Sequence, residues 1–296
     1  MAPMLKTETP SKTHTTLDQY PTDQLVSAFV EDQFAAVNAV RAASAALARA
    51  VDAAATRLLD GGRLIYVGAG TSGRLGLLDS VELYPTFSWP RERAVALLAG
   101  GTQAVYQALE GAEDNFEQGA SDIAAVQLTA LDVVVILAAS GSTPYAMGAL
   151  EGARKAGALT IGIANNPSAP LALQAEIGIT LDTGAELISG STRLKAGTAQ
   201  KIALNTFSSS VMVRLNKVYG NLMVDLRPTN AKLIRRSIAL TVLATGVGED
   251  DARAMLEESG YQIKVAIVAI KKAVSVDLAR QLLDRSRGSV RLALGE

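Results

Sequence analysis

The stretch VGAGTSGRLGLLDSVELYPTF, Val67 to Phe87, follows the apolar run RLIYVG and sets Gly68, Gly70 and Gly73 in G-x-G-x-x-G spacing. An apolar run, a glycine turn and then helical text read as the first strand–turn–helix unit of a parallel sheet. Similar runs follow in AVALLAG, DVVVILAAS, LTIGIAN and, more weakly, EIGITLD. Between them lies helical text: TQAVYQALEGAED, FEQGASDIAAVQL and PYAMGALEGARKAG. Strands covered on both faces read as unbroken apolar runs. The pattern therefore predicts an α/β, three-layer sandwich around a mostly parallel five-stranded sheet.

Outward from this centre, Thr22 to Leu59 is Ala-rich with helical periodicity, which predicts one or two helices closed by Gly61-Gly62. From Ser189 an amphipathic stretch reads as one extended helix closed by Gly220. Beyond it strand signals vanish and three short helical patterns remain, predicting a small C-terminal helical bundle. The expected organisation is a flexible arm at 1–20, an α/β domain at 21–228 that includes the N-terminal helices, and a small helical domain at 229–296.

Composition removes whole classes of chemistry. The 296 residues contain no Cys and a single His, so disulfides, thiolate metal sites and cysteine nucleophiles are excluded. His14 lies in the polar N-terminal stretch, which leaves Ser-His mechanisms and His-rich zinc sites without support. No metal site is expected. Twenty-eight basic residues against 29 acidic ones, without a basic block, give nucleic acid no electrostatic foothold. No apolar run is long enough for a signal peptide or a membrane span, so no membrane partner and a cytoplasmic location are expected.

The glycine spacing invites a dinucleotide reading, which needs an acid at the end of the second strand to hold a ribose. That strand ends in Leu-Ala-Gly-Gly-Thr, so the reading fails. Three loops at strand ends are instead rich in Gly and hydroxyls: GAGTSG at 68–73, AASGSTP at 138–144 and SGSTRLKAGT at 189–198. Backbone N–H groups exposed by Gly, joined by Ser and Thr hydroxyls, suit a phosphate. The candidate binding residues are Gly70, Thr71, Ser72, Ser140, Gly141, Ser142, Thr143, Ser189, Ser191 and Thr192. The bland alternative is that such residues merely cap helices and turn the chain. The candidate acids are Glu82, Glu110, Glu113 and Asp114. Glu82 is the odd one, since Val81, Leu83, Tyr84 and Phe87 around it are apolar and favour its partial burial.

Together GAGTSGRLGLLDSVELYPTF, ALEGAEDN, AASGSTPY, SGSTRLKAGTAQK and KVYGNLMVDLRPTNAKL resemble the N-acetylmuramic acid 6-phosphate etherases, of the sugar isomerase (SIS) fold. The likeness runs from about residue 20 to the end. It implies a cofactor-free lyase that splits a D-lactyl ether, giving N-acetylglucosamine 6-phosphate and D-lactate during cell-wall recycling. It also implies two catalytic glutamates, matching Glu82 in VELYPTF and Glu113 in LEGAED. Elimination needs a base for the C2 proton and an acid for leaving lactate, and a carboxylate pair can divide these roles. Glu82 is the expected acid and Glu113 the expected base.

The sequence departs from the family pattern in two places. Leu83-Tyr84 replaces a Cys-Pro, and Ser142 stands where an Arg is usual. Arg74, Arg193 and Lys195 are the cations available to compensate, and Lys195 joins the candidate binding set. The rival readings are a sugar-phosphate isomerase and a non-catalytic sugar-phosphate sensor of the same fold. A continuous helix from Ser72 to Glu82 would separate the two by roughly 15 Å, more than a hexose phosphate spans. Either the phosphate then sits mainly on the 140–143 and 189–198 loops, or Glu82 serves a sugar bound by a neighbouring subunit. The resemblance to the SIS fold, whose sites commonly lie at a dimer interface, implies the second, and a homodimer with sites at the subunit interface is expected.

Overall fold

The computed structural model describes residues 5–228 and 230–296. Residues 1–4 of the expected arm, and Thr229 at the expected start of the helical domain, lie outside the described residues. The chain forms two compact units. The first holds the residues up to Ser80 and Glu92–Ser208, and the second holds Val81–Arg91 and Ser209–Glu296.

In the first unit the N-terminal helical text folds as three helices, α1 (Thr22–Asp32), α2 (Phe34–Ala42) and α3 (Ser44–Leu59). Breaks at Gln33 and Ala43 raise the expected count of one or two. The sheet follows: β1 (Leu64–Gly68), α4 (Gly70–Phe87), β2 (Ala94–Leu98), α5 (Gln103–Tyr106), α6 (Phe116–Ala125), β3 (Val133–Ala138), α7 (Pro144–Lys155), β4 (Leu159–Ala164), α8 (Pro170–Gln174) and β5 (Ile177–Thr180). All five strands are parallel, in the order β2-β1-β3-β4-β5. Residues of β1, β3 and β4 are buried throughout, as unbroken apolar runs require. One face, through Ile65, Val67, Val134 and Ile136, packs with Tyr145, Ala149 and Leu150 of α7 and Ile123 of α6. The helix α3 packs against β3, β4 and β5.

The N-terminal edge of the sheet is pinned by one ion pair. Arg63 donates from Nη2 to Asp132 Oδ2 (2.7 Å) and from Nε to Oδ1 (3.1 Å), while its backbone N–H and that of Thr129 also reach Asp132. Burial works against the Asp132 charge, but the guanidinium and the backbone N–H groups outweigh it and hold the carboxyl below its ordinary range.

Two stretches depart from the periodicity. ALEGAED is a turn and a short 3-10 segment, Ala112–Asp114, because Gly111 adopts φ 73° and breaks the helix. The long helix expected from Ser189 begins only at Lys195, as α9 (Lys195–Arg214). It ends before Asn216, whose φ is 61°. Gly220 closes no helix; it turns the hairpin of β6 (Val218–Tyr219) and β7 (Leu222–Met223).

The second unit carries five C-terminal helices where three patterns were legible: α10 (Ala231–Thr245), α11 (Glu249–Glu258), α12 (Ile263–Lys272), α13 (Val276–Arg285) and α14 (Val290–Leu294). Asn230, Ser275 and Ser289 cap α10, α13 and α14 through their side chains. The core gathers Ile238, Leu256, Ile263, Ile267 and Leu283. Among the described residues no single helix is long and apolar enough to cross a membrane. The bent pair Thr22–Ala42 with Ser44–Leu59 meets that test only by length and composition.

Candidate active site

The connection from β1 leads to β2 on one side, and that from β3 leads to β4 on the other. The carboxyl ends of β1 and β3 thus border the crevice where a parallel sheet receives ligands. Gly68 pairs with Leu137, so the turn at 69–72 and the loop at 139–143 emerge side by side. The third loop is joined to both. Gly197 of α9 faces Thr71, a Cβ there meeting its Cγ2 at 3.4 Å. Asn166, just past β4, donates to the Ala139 carbonyl (2.9 Å) and to Thr7 Oγ1 (3.0 Å), and the Gly190 N–H donates to the Thr7 carbonyl. The three glycine and hydroxyl loops therefore form one neighbourhood within the first unit.

The glycines of the opening motif do mechanical work. A Cβ at Gly73 would lie 2.5 Å from the Gly68 carbonyl oxygen, so their bare backbones let α4 start directly over the end of β1. Gly70 turns the chain with φ 52° and is exposed. Thr71 is half-buried and Ser72 buried.

In the second loop, Ser140 Oγ lies 3.3 Å from Thr143 Oγ1 and accepts the Ser142 N–H. Gly141 adopts φ 73°, against Ala169 and Ala164, while Ser142 is exposed. Thr143 makes no side-chain cap on α7; its hydroxyl lies against Ser140 instead, and Pro144 begins the helix without an N–H.

The third loop is anchored from beneath by the N-terminal segment. Thr7 is wholly buried, Ser189 donates its hydroxyl to the Glu8 carbonyl (2.8 Å), and Lys6 pairs with Asp182. Ser189 thus holds the chain in place, while Ser191 and Thr192 are half-buried. Lys195, expected to meet substrate, is buried with its ammonium 2.6 Å from Asp32. Its backbone N–H and that of Ala196 donate to Glu186, which closes the N-terminus of α9. Burial pushes the Glu186 carboxyl above its ordinary range, against those N–H bonds. Neither Glu186 nor Asp32 stood out in the sequence, since a spacing of nine residues along a loop carries no periodic signal.

Glu113 is exposed on its 3-10 turn and lines a cavity of about 200 Å³ with Gly70, Arg74, Ala99 and Glu110. Arg74 holds the opposite wall, donating to the carbonyls of Ala104 (2.9 Å) and Gln107 (3.0 Å). Its guanidinium is therefore spent on positioning. Arg193 is exposed, and no ion pair is found for it among the described residues.

Glu82 differs from expectation. It is exposed, as is Val81 (59%), while Leu83 is buried (3%). At 100° per residue, apolar neighbours at i ± 1 point to different sides of a helix, so they do not enclose the residue between them. The helix α4 is continuous through Pro85, so Glu82 lies about 15 Å along its axis from Ser72.

The five-stranded parallel sheet, with glycine- and hydroxyl-rich loops at its switch point, has the architecture of a SIS-type protein, and the family models agree. Residues 46–156 match the model of the glucokinase regulatory protein N-terminal SIS domain, and residues 118–210 match that of the SIS domain. Over 291 residues the chain is 54% identical to the N-acetylmuramic acid 6-phosphate etherase of Deinococcus radiodurans, covering 98% of this chain and 95% of that protein. It is 47% identical to the protein of the same name from Salmonella typhimurium, over 94% of each. A phosphoheptose isomerase from Francisella tularensis aligns with 64% of this chain and 97% of its own, at a TM-score of 0.49 and 18% identity. The chain belongs to the N-acetylmuramic acid 6-phosphate etherase family.

Proposed function

We propose that this chain is a carbon–oxygen lyase that removes the D-lactyl group from N-acetylmuramic acid 6-phosphate, giving N-acetylglucosamine 6-phosphate and D-lactate. Near-full-length likeness to etherases carries the reaction, and the cavity shared by Gly70 and Glu113 supports the placement of its base. Thr71, Ser140, Ser142, Thr143, Ser191 and Thr192 receive the phosphate. Gly70, Ser72, Gly141, Ser189 and Lys195 shape the walls. Arg193 supplies the cation that Ser142 cannot.

In the open-chain sugar the C2 proton is acidic because it is α to the aldehyde. Glu113 takes it, the C3–O bond to lactate breaks, and Glu82 protonates the leaving oxygen. Water then adds at C3 and a proton returns to C2, which restores both carboxyl groups for the next turnover.

The length of α4 supports a dimer in which Glu82 serves the sugar held by the neighbouring subunit's loops. Its exposed neighbours Leu78 and Val81 favour this, since a covering subunit would give the acid the apolar setting it needs. A second exposed apolar stripe, Val26, Val30, Phe34 and Val37 on α1 and α2, supplies contact surface. A cytoplasmic location fits a substrate of cell-wall recycling.

Incubation of the purified chain with N-acetylmuramic acid 6-phosphate should release D-lactate stoichiometrically. Binding without lactate release would overturn the reading in favour of a sensor.

A further inference from the structure

The second unit contains a cavity of about 930 Å³ that the proposed reaction does not use, lined in part by Lys217, Asp225, Arg227, Lys264 and Arg280. At its wall two ammonium groups share one carboxylate oxygen. Lys217 Nζ lies 2.7 Å and Lys264 Nζ 2.9 Å from Asp225 Oδ2. The three side chains are only 20%, 12% and 22% exposed. One carboxylate cannot neutralise two ammoniums, so a positive charge is left over in a partly dehydrated place, where it is costly without a counter-charge.

The rest of the lining does not remove the surplus. Arg227 is exposed and has no ion pair among the described residues. Arg280 leans on Asp277 and the Ser259 carbonyl, and Asp284 is the only other acid in the lining. Four cations therefore stand against three carboxylates, Asp277 included. Burial pushes the Lys264 ammonium below its ordinary value against the pull of Asp225, and the neighbouring Lys217 adds to the shift.

We propose that this cavity is an anion site for a phosphate monoester, held by Lys217, Lys264 and Arg227. A phosphate dianion supplies the charge that the paired lysines lack, and its three acceptor oxygens match the donors of two ammoniums and a guanidinium. Its occupant is a phosphate monoester other than the substrate, whose own phosphate the proposed reaction places on the loops of the first unit. The inference does not rest on the etherase reading, because phosphate protection of the two lysines is read without turnover.

Amine-acylation footprinting of the full chain with inorganic phosphate provides that test, with sodium chloride at matched ionic strength as control. Phosphate should protect Lys217 and Lys264 and leave the exposed Lys155 unchanged. Arg227→Gln, at an exposed position, and Lys264→Met should each weaken this protection about tenfold, and Lys264→Arg should keep most of it. In Arg227→Gln, KM and kcat should stay put while phosphate binding falls. A KM raised by the same factor with kcat held would make this the substrate's own phosphate site and overturn the proposal. Labelling of Lys217 and Lys264 that phosphate does not change beyond chloride, or protection equal in Arg227→Gln and wild type, would overturn the proposal.

Discussion

Glu113 stands exposed on a short turn rather than a helix and lines a small cavity together with Gly70 and Arg74. If it takes the C2 proton, Glu113→Gln should abolish solvent deuterium exchange at C2 along with lactate release, each by roughly a hundredfold or more. Glu82→Gln should separate the two, cutting lactate release while C2 exchange persists, because the acid acts after the proton has left. NMR of the substrate pool in deuterated buffer reads both. Undiminished exchange in the Glu113 variant would give the base role to another group. Both glutamates were legible only through the motifs around them. The exposure of Glu82 was not legible, because the apolar residues beside it in sequence occupy other faces of α4.

At the scale of the element, the strands could be read directly, since burial on both faces leaves few polar residues to blur β1, β3 and β4. The ALEGAED turn misled because its composition is helical and one left-handed glycine, Gly111, decides against it. The docking of Thr7 against Asn166 gave no signal, because a buried threonine in a polar segment looks like any solvated one. The Arg63–Asp132 clamp joins the entries to β1 and β3, and its pH dependence has a definite sign. The folded carboxyl titrates below its unfolded value, so the clamp's stabilisation is full above about pH 4 and is lost as the pH falls through the lowered value. Asp132→Asn should cost about 3 kcal/mol at pH 7 in urea melts. That difference should narrow steadily below pH 4. A gap that stays constant down to pH 2.5 would mean that the carboxylate charge contributes nothing.

At the scale of the whole molecule, two kinds of surface support the proposed dimer. One is the apolar stripe of Val26, Val30, Phe34 and Val37, each 45–59% exposed; the other is the pair Leu78 and Val81 beside the proposed acid. Light scattering after gel filtration should give twice the chain mass for the wild type. Phe34→Glu combined with Val30→Glu should give a folded monomer by circular dichroism, with lactate release reduced about a hundredfold or more because Glu82 loses its sugar. A fully active monomer would show that one chain assembles its own site. The sequence pointed to two subunits only through the length of α4. The surfaces that would cover Glu82 emerge once the helix faces are known.

The central claim is that lactate leaves by elimination at C3 and that water then adds there. Turnover of N-acetylmuramic acid 6-phosphate in oxygen-18 water tests it most directly, with mass spectrometry of both products. One solvent oxygen should enter at C3 of N-acetylglucosamine 6-phosphate, and none should enter D-lactate from cleavage. Label in the lactate hydroxyl, with none in the sugar, would mean that water attacks the lactyl carbon and would contradict it.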